Sequence, residues 1–173
     1  MSLLSRVDRI VISINEWILL LIGITFTVLI LLQVFARYVL QFSIFHIDAL
    51  SGFLLVWFSF VGIGLAFRYG MHASMDLVET LVPTRVKFQV GVFRILTSIV
   101  FFLFLILASM VALPISMRNL NPSMGVSYAW GVAALPVGSA FAVWHLAVML
   151  REMATGQRVN ALEPLADFGM DQA

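Results

Sequence analysis

A chain of 173 residues has room for one domain, but 62% of it is hydrophobic and only 11% charged, against about 45–50% and 25% in soluble domains. With a mean hydropathy of +1.05, that balance excludes a water-soluble globule and makes lipid the solvent. A net charge of +1 gives no basic surplus for nucleic acid, and the absence of cysteine excludes disulfides, thiolate nucleophiles and Cys-ligated metals.

Residues 1–15 carry Leu3, Leu4, Val7, Ile10, Val11 and Ile14 at helical spacing, with Ser2, Ser5, Arg6, Asp8, Arg9 and Ser13 between them. The pattern predicts an amphipathic helix lying in the membrane interface. The plainer alternative is the first span extended outward. Asn15 is placed to cap that span, with Glu16 in its first turn, where a carboxylate suits the helix dipole.

The first uncharged apolar run covers residues 17–36, about the 20 residues a helix needs to cross the hydrocarbon core. Arg6 and Arg9 give it the start of a signal peptide, but the run is too long and no small-x-small site follows, so a retained anchor is expected. The second run covers residues 49–67, the third 95–113, ended by Pro114, and the fourth 130–150, ended by Arg151 and Glu152. Barrel strands would be about 10 residues long and would alternate; these runs do neither. A helix satisfies its own backbone in lipid. The predicted fold is an all-α integral membrane protein, with four transmembrane helices forming one domain over residues 1–152.

Between the second and third runs, Met71, Met75, Val78, Leu81 and Val82 interleave with His72, Asp76 and Glu79, predicting a short cytoplasmic helix ended by Pro83. The loop over 114–129 holds two prolines and Gly125 and reads as irregular. Residues 153–173 form a polar tail with little to pack, expected to be disordered.

Lys and Arg set the orientation. One side holds Arg6, Arg9, Arg68, Arg85, Lys87, Arg94, Arg151 and Arg158; the other holds Arg37 and Arg118. This eight-to-two bias predicts that both termini are cytoplasmic.

Three candidate constellations follow. His46, His72 and His145 invite a haem or metal, but the topology puts no two of them opposite each other across a bundle, so no cofactor is expected. The second span has Gly52, Ser59, Gly62 and Ala66 on one face, with Gly64 nearby; small residues let helices approach closely in lipid, within this chain or against a separate subunit. Arg37 and Asp48 flank the first outer loop and either pair or are each solvated by headgroups. The middles of the spans carry no charge, and paired broken helices are missing, which argues against an autonomous carrier. Pro136 is expected to kink the fourth span.

Phe35-Ala36-Arg37-Tyr38-Val39 closes the first span, followed by Asp48, Val56-Trp57, Gly62, Arg68-Tyr69-Gly70-Met71-His72, Asp76 and Leu81-Val82-Pro83. Trp130 then precedes Ala134-Leu135-Pro136-Val137-Gly138. Over residues 15–152 this order resembles the small membrane subunit of TRAP transporters, the DctQ family. Two departures stand out: Ala49 replaces the second of two acidic residues that often open the second helix, and Gly52 stands where a basic residue often follows.

The resemblance implies a non-catalytic scaffold in the bacterial inner membrane, clamped to a large transmembrane subunit that carries the sodium and substrate sites. It also implies a periplasmic binding protein that delivers organic acids. Candidate interface or structural residues are Arg37, Asp48, Gly52, Trp57, Ser59, Gly62, Ala66, Arg68, His72, Asp76, Trp130, Pro136 and Gly138. The alternative function is a membrane anchor for a redox enzyme.

Overall fold

The computed structural model describes residues 3–69 and 84–155. They form α1 (Leu3–Tyr38), α2 (Phe45–Arg68), α3 (Thr84–Met117), the single turn α4 (Ala129–Val132) and α5 (Ala134–Ala154). Four segments are long and apolar enough to cross a membrane: Arg6–Tyr38, Phe45–Arg68, Phe88–Met117 and Ala129–Ala154. Each is longer than the uncharged run that marks it in the sequence, because helices continue past the first charge into the interface.

The helices stand in a bent row, with α1 against α2, α2 against α5 and α5 against α3. Second neighbours among the described helices meet far less. One such contact sets the Phe67 and Phe102 rings edge to face, with centroids 5.9 Å apart. The main apolar core lies along the α3–α5 seam: Ile95 and Phe102 from α3, and Ala142, Leu146, Met149 and Met153 from α5.

Helices α2 and α5 run parallel, although most of the contact in an up-and-down array is antiparallel. Glycines set their distance. A Cβ on Gly138 would lie 2.4 Å from the Phe60 carbonyl oxygen, and one on Gly64 would lie 3.1 Å from the Ala142 nitrogen. A Cβ on Gly131 would meet the Phe53 ring at 2.9 Å. No side chain fits at Gly138, so the two backbones touch there.

Three local expectations are corrected. The separate interfacial helix is absent: α1 is uninterrupted from Leu3 to Tyr38, and no Gly or Pro occurs between Leu3 and Ile22 to break it. Asn15 therefore lies mid-helix and caps nothing. Pro114 does not end α3, which continues one turn to Met117; loss of a single hydrogen bond in a last turn leaves the helix intact. Pro136 does not kink a continuous helix. The break falls at Ala133, and Pro136 sits in the first turn of α5, where its missing N–H costs nothing.

The loop after α3 is irregular, as its composition predicts. A β-bridge pairs Leu120 with Ser127, Asn121 Oδ1 accepts from the Ser123 N–H, and Gly125 supplies a left-handed turn at φ +65°. The predicted helix over residues 71–82 and the tail from residue 156 lie outside the described residues.

Candidate functional site

Polar side chains tie the row together at its two ends, which are named here by Asp8 and by Arg37. At the Asp8 end, Arg68 closes α2 and is 1% exposed. Its Nη1 donates to Glu152 Oε2 at 3.0 Å and its Nη2 donates to Glu152 Oε1 at 2.8 Å. The same Nη2 donates to Asp8 Oδ2 at 2.5 Å. One guanidinium thus joins α1, α2 and α5. Its planar fork matches the Glu152 carboxylate in a way no lysine could. Because α2 and α5 are parallel, their negative C-terminal ends lie together, and Arg68 is the cation between them.

Next to this cluster, the Tyr69 hydroxyl donates to Glu16 Oε1. Burial, and then the carboxylate it touches, pushes the Tyr69 phenol up to about 12. Two turns deeper, the Asn15 amide nitrogen lies 3.2 Å from His145 Nε2, and both residues are fully buried. The tautomer of His145 and the orientation of the Asn15 amide together set which group donates.

At the Arg37 end the ties are wetter. Arg37 Nη2 lies 3.2 Å from Asp48 Oδ2, with both side chains about half exposed. Gln33 Nε2 donates to Ser43 Oγ at 3.1 Å. Trp57 Nε1 donates to the Trp130 carbonyl at 2.8 Å, fixing α2 to α4, while the Trp130 side chain itself is exposed. A shallow cavity of about 580 Å³ opens here, lined by Ser43, Phe45, His46 and Ser123.

The structure scatters the small residues of the second span. Gly62 packs closely on α1, where a Cβ would lie 3.3 Å from Leu19 Cδ1, and nothing approaches Gly52 within 4 Å. Ser59 is exposed and bonds back to the Leu55 carbonyl; Ala66 is half-buried. The close crossing instead uses Gly64 and Gly138. His72 and Asp76 lie outside the described residues. Among the described residues, no three His, Cys, Asp or Glu side chains gather to hold a metal.

Sequence reasoning missed the partners of Arg68, and it missed Asn15 with His145. The available signal was depth. Asp8, Arg68 and Glu152 are each an ionisable residue at the edge of an apolar helix on the same side, and ionisable residues near lipid pair with one another.

The sequence model described as "Tripartite ATP-independent periplasmic transporters, DctQ component" matches residues 26–156, most of the chain. The chain belongs to the DctQ family. No curated protein matches it closely. The match covers Arg37, Asp48, Arg68, His145 and Glu152, and it begins beyond Asp8 and Asn15. The α1 arm of the charge cluster therefore lies outside the matched region. As a DctQ chain it is the small permease component of a TRAP transporter, a multi-pass membrane protein of a transport system.

Proposed function

We propose that this chain is a non-catalytic scaffold, held against the large membrane subunit of a sodium-coupled TRAP transporter that imports organic acids from a periplasmic binding protein. The observation that carries the reading is Arg68. The most deeply buried charge among the described residues is spent on holding α1, α2 and α5 together, which makes the helices stiff and leaves that charge unavailable to a solute. A carrier instead places polar groups at mid-depth on broken helices that change partners. Within the spans the outward faces of α1 and α3 are mostly apolar, with Leu21, Leu31, Phe104 and Val111 among the exposed residues, which suits contact with lipid and with a second membrane protein.

The eight-to-two bias of Lys and Arg supports cytoplasmic termini in the bacterial inner membrane. Reporter fusions after Leu3 and at Asn121 test this and should read cytoplasmic and periplasmic respectively. The decisive experiment is purification of a tagged copy in mild detergent, then reconstitution with a sodium gradient, binding protein and labelled organic acids. The large subunit should co-purify in near-equal amount, and uptake should need both chains. Gradient-driven uptake by this chain alone would overturn the scaffold reading, and a haem spectrum would favour the redox anchor instead.

A further inference from the structure

We propose that the turn joining α1 to α2, residues 38–45, sits inside the membrane interface, with its apolar side chains among lipid headgroups and upper acyl chains instead of in the water beyond. Connections between spans are ordinarily polar and solvated, because an irregular backbone needs partners for its N–H and C=O groups. This one reverses the rule. Tyr38, Val39, Leu40, Phe42 and Phe45 are each more than half exposed. The first three are consecutive, so their side chains leave the turn in different directions. The apolar surface therefore wraps the turn, as a lipid contact requires, and does not form the single face that a protein partner would cover.

The polarity of the turn is directed back onto the protein. The Val39 and Leu40 N–H groups donate to the Phe35 carbonyl at 2.9 and 3.4 Å, and the Phe42 N–H donates to the Ala36 carbonyl at 3.2 Å. Gln41 adopts a left-handed conformation, φ +59°, uncommon for a residue other than glycine. Its Nε2 donates to the Tyr38 carbonyl at 3.0 Å. Ser43 Oγ accepts from Gln33 Nε2. Arg37 and Asp48, which flank the turn, neutralise each other at 3.2 Å. A turn that closes its backbone on itself, and uses its polar side chains within the protein, loses little on leaving water, while its large apolar side chains gain. Arginine beside aromatic side chains is also the composition that anchors a span at headgroup level.

The other connection at the same end has the opposite character. Arg118, Asn119, Pro122 and Gly125 are exposed there, and side chains of Asn121 and Ser127 accept from its backbone N–H groups. The two connections are neighbours, since Ser43 and His46 share the shallow cavity with Pro122 and Ser123. One is apolar on its outside and the other polar, so the α1 edge of the row is sunk into the leaflet while the loop after α3 emerges from it, and the row stands tilted in the bilayer.

The chain has no cysteine, so a spin label on one introduced Cys reports one place. Val39→Cys, Phe42→Cys and Pro122→Cys are labelled in the full chain, with exposed Leu107→Cys as the mid-span lipid reference. Each is reconstituted in nanodiscs of phosphatidylethanolamine and phosphatidylglycerol, alone and with the large subunit. Only the second sample rests on the scaffold reading; the depth of the turn in the chain alone does not. Collisions of the label with oxygen, which concentrates in lipid, are compared with those of a water-soluble nickel chelate. At Val39 and Phe42 the oxygen-to-nickel ratio should exceed that at Pro122 by at least about threefold in both samples, and approach that at Leu107, as expected for side chains about 5–10 Å into the headgroup and acyl boundary. Ratios at Val39 and Phe42 equal to that at Pro122 would put the turn in water and overturn the proposal. Exclusion of both reagents from Val39 and Phe42 once the large subunit is present would make the turn a protein contact, which overturns it as well.

Discussion

Replacing Arg68 with Met removes the charge from a side chain that is 1% exposed and keeps most of its volume. Three hydrogen bonds of 2.5 to 3.0 Å disappear. Asp8 and Glu152 both lose the guanidinium that pairs with them. Breaking a buried pair by removing one partner costs about 3–5 kcal/mol, chiefly through the uncompensated charge that remains. The Glu152 side chain keeps some solvent contact, with 20% of its surface accessible, so the lower half of that range is expected. The same logic predicts rescue. Adding Asp8→Leu and Glu152→Leu to Arg68→Met removes all three charges of the cluster, and an apolar replacement of a buried ion triad is often neutral or better. Denaturant unfolding of the purified chain in detergent, followed by loss of helical circular dichroism, measures both. An unchanged midpoint for Arg68→Met, or a triple variant no more stable than the single one, would refute the view that this cluster is a buried electrostatic clamp.

Three further outcomes are expected. Gly138→Ala should destabilise the chain by about 1–3 kcal/mol, because overpacking against the Phe60 backbone outweighs the ~1 kcal/mol by which Ala is the better helix former; Gly52→Ala, facing open space, should be neutral or slightly stabilising in the same unfolding assay. Reversing either Arg37 or Asp48 should shift unfolding by less than about 1 kcal/mol, since the pair is half exposed, and the double reversal should restore the original midpoint; a larger loss would mean that the pair is desolvated. Tyr69 should make stability pH-dependent only in alkali. Its folded pKa is raised from 10.0 to about 12, so its contribution is constant below pH 10 and is lost as pH rises from 10 towards 12. Stability curves of the parent chain and Tyr69→Phe should run in parallel below pH 10 and converge above it.

How much could be read in advance varied with the kind of signal. The four spans are legible because an uncharged run of 19 or more residues has one cheap solution in lipid. The juxtaposition of Arg37 and Asp48 is legible as a possibility because a short loop brings the ends of two helices together. The Arg68 cluster was hidden because Asp8 and Glu152 lie 60 and 84 residues away, and each looks like an ordinary flanking charge until α2 and α5 are known to be neighbours. The first 15 residues show the pattern being read with the wrong polarity. Their amphipathic spacing is real, but Asp8 and Asn15 face inwards while Val7, Ile10 and Ile14 face outwards. In water, apolar residues point to the core; beside lipid, polar residues do so when partners such as Arg68 and His145 await them. Gly138 entered through its family motif alone, since a sequence does not say which of 11 glycines meets another backbone.

The mismatch between chain order and spatial order bears on how the protein is made. α1 and α2 can close as a hairpin as soon as both have left the ribosome. α3 comes next, but its main neighbour, α5, is still unsynthesised. α5 must then enter between α2 and α3, bringing Gly138 to Phe60 and Glu152 to Arg68 in one step. Until that moment Arg68 has only its α1 partner, and the faces of Ile95 and Phe102 that will be buried lie against lipid. The last helix to be translated is therefore the keystone of the row. Among the described residues, a chain cut short before Ala134 loses the main element through which α3 is joined to the α1–α2 hairpin and keeps only the short turn α4 between α3 and α2.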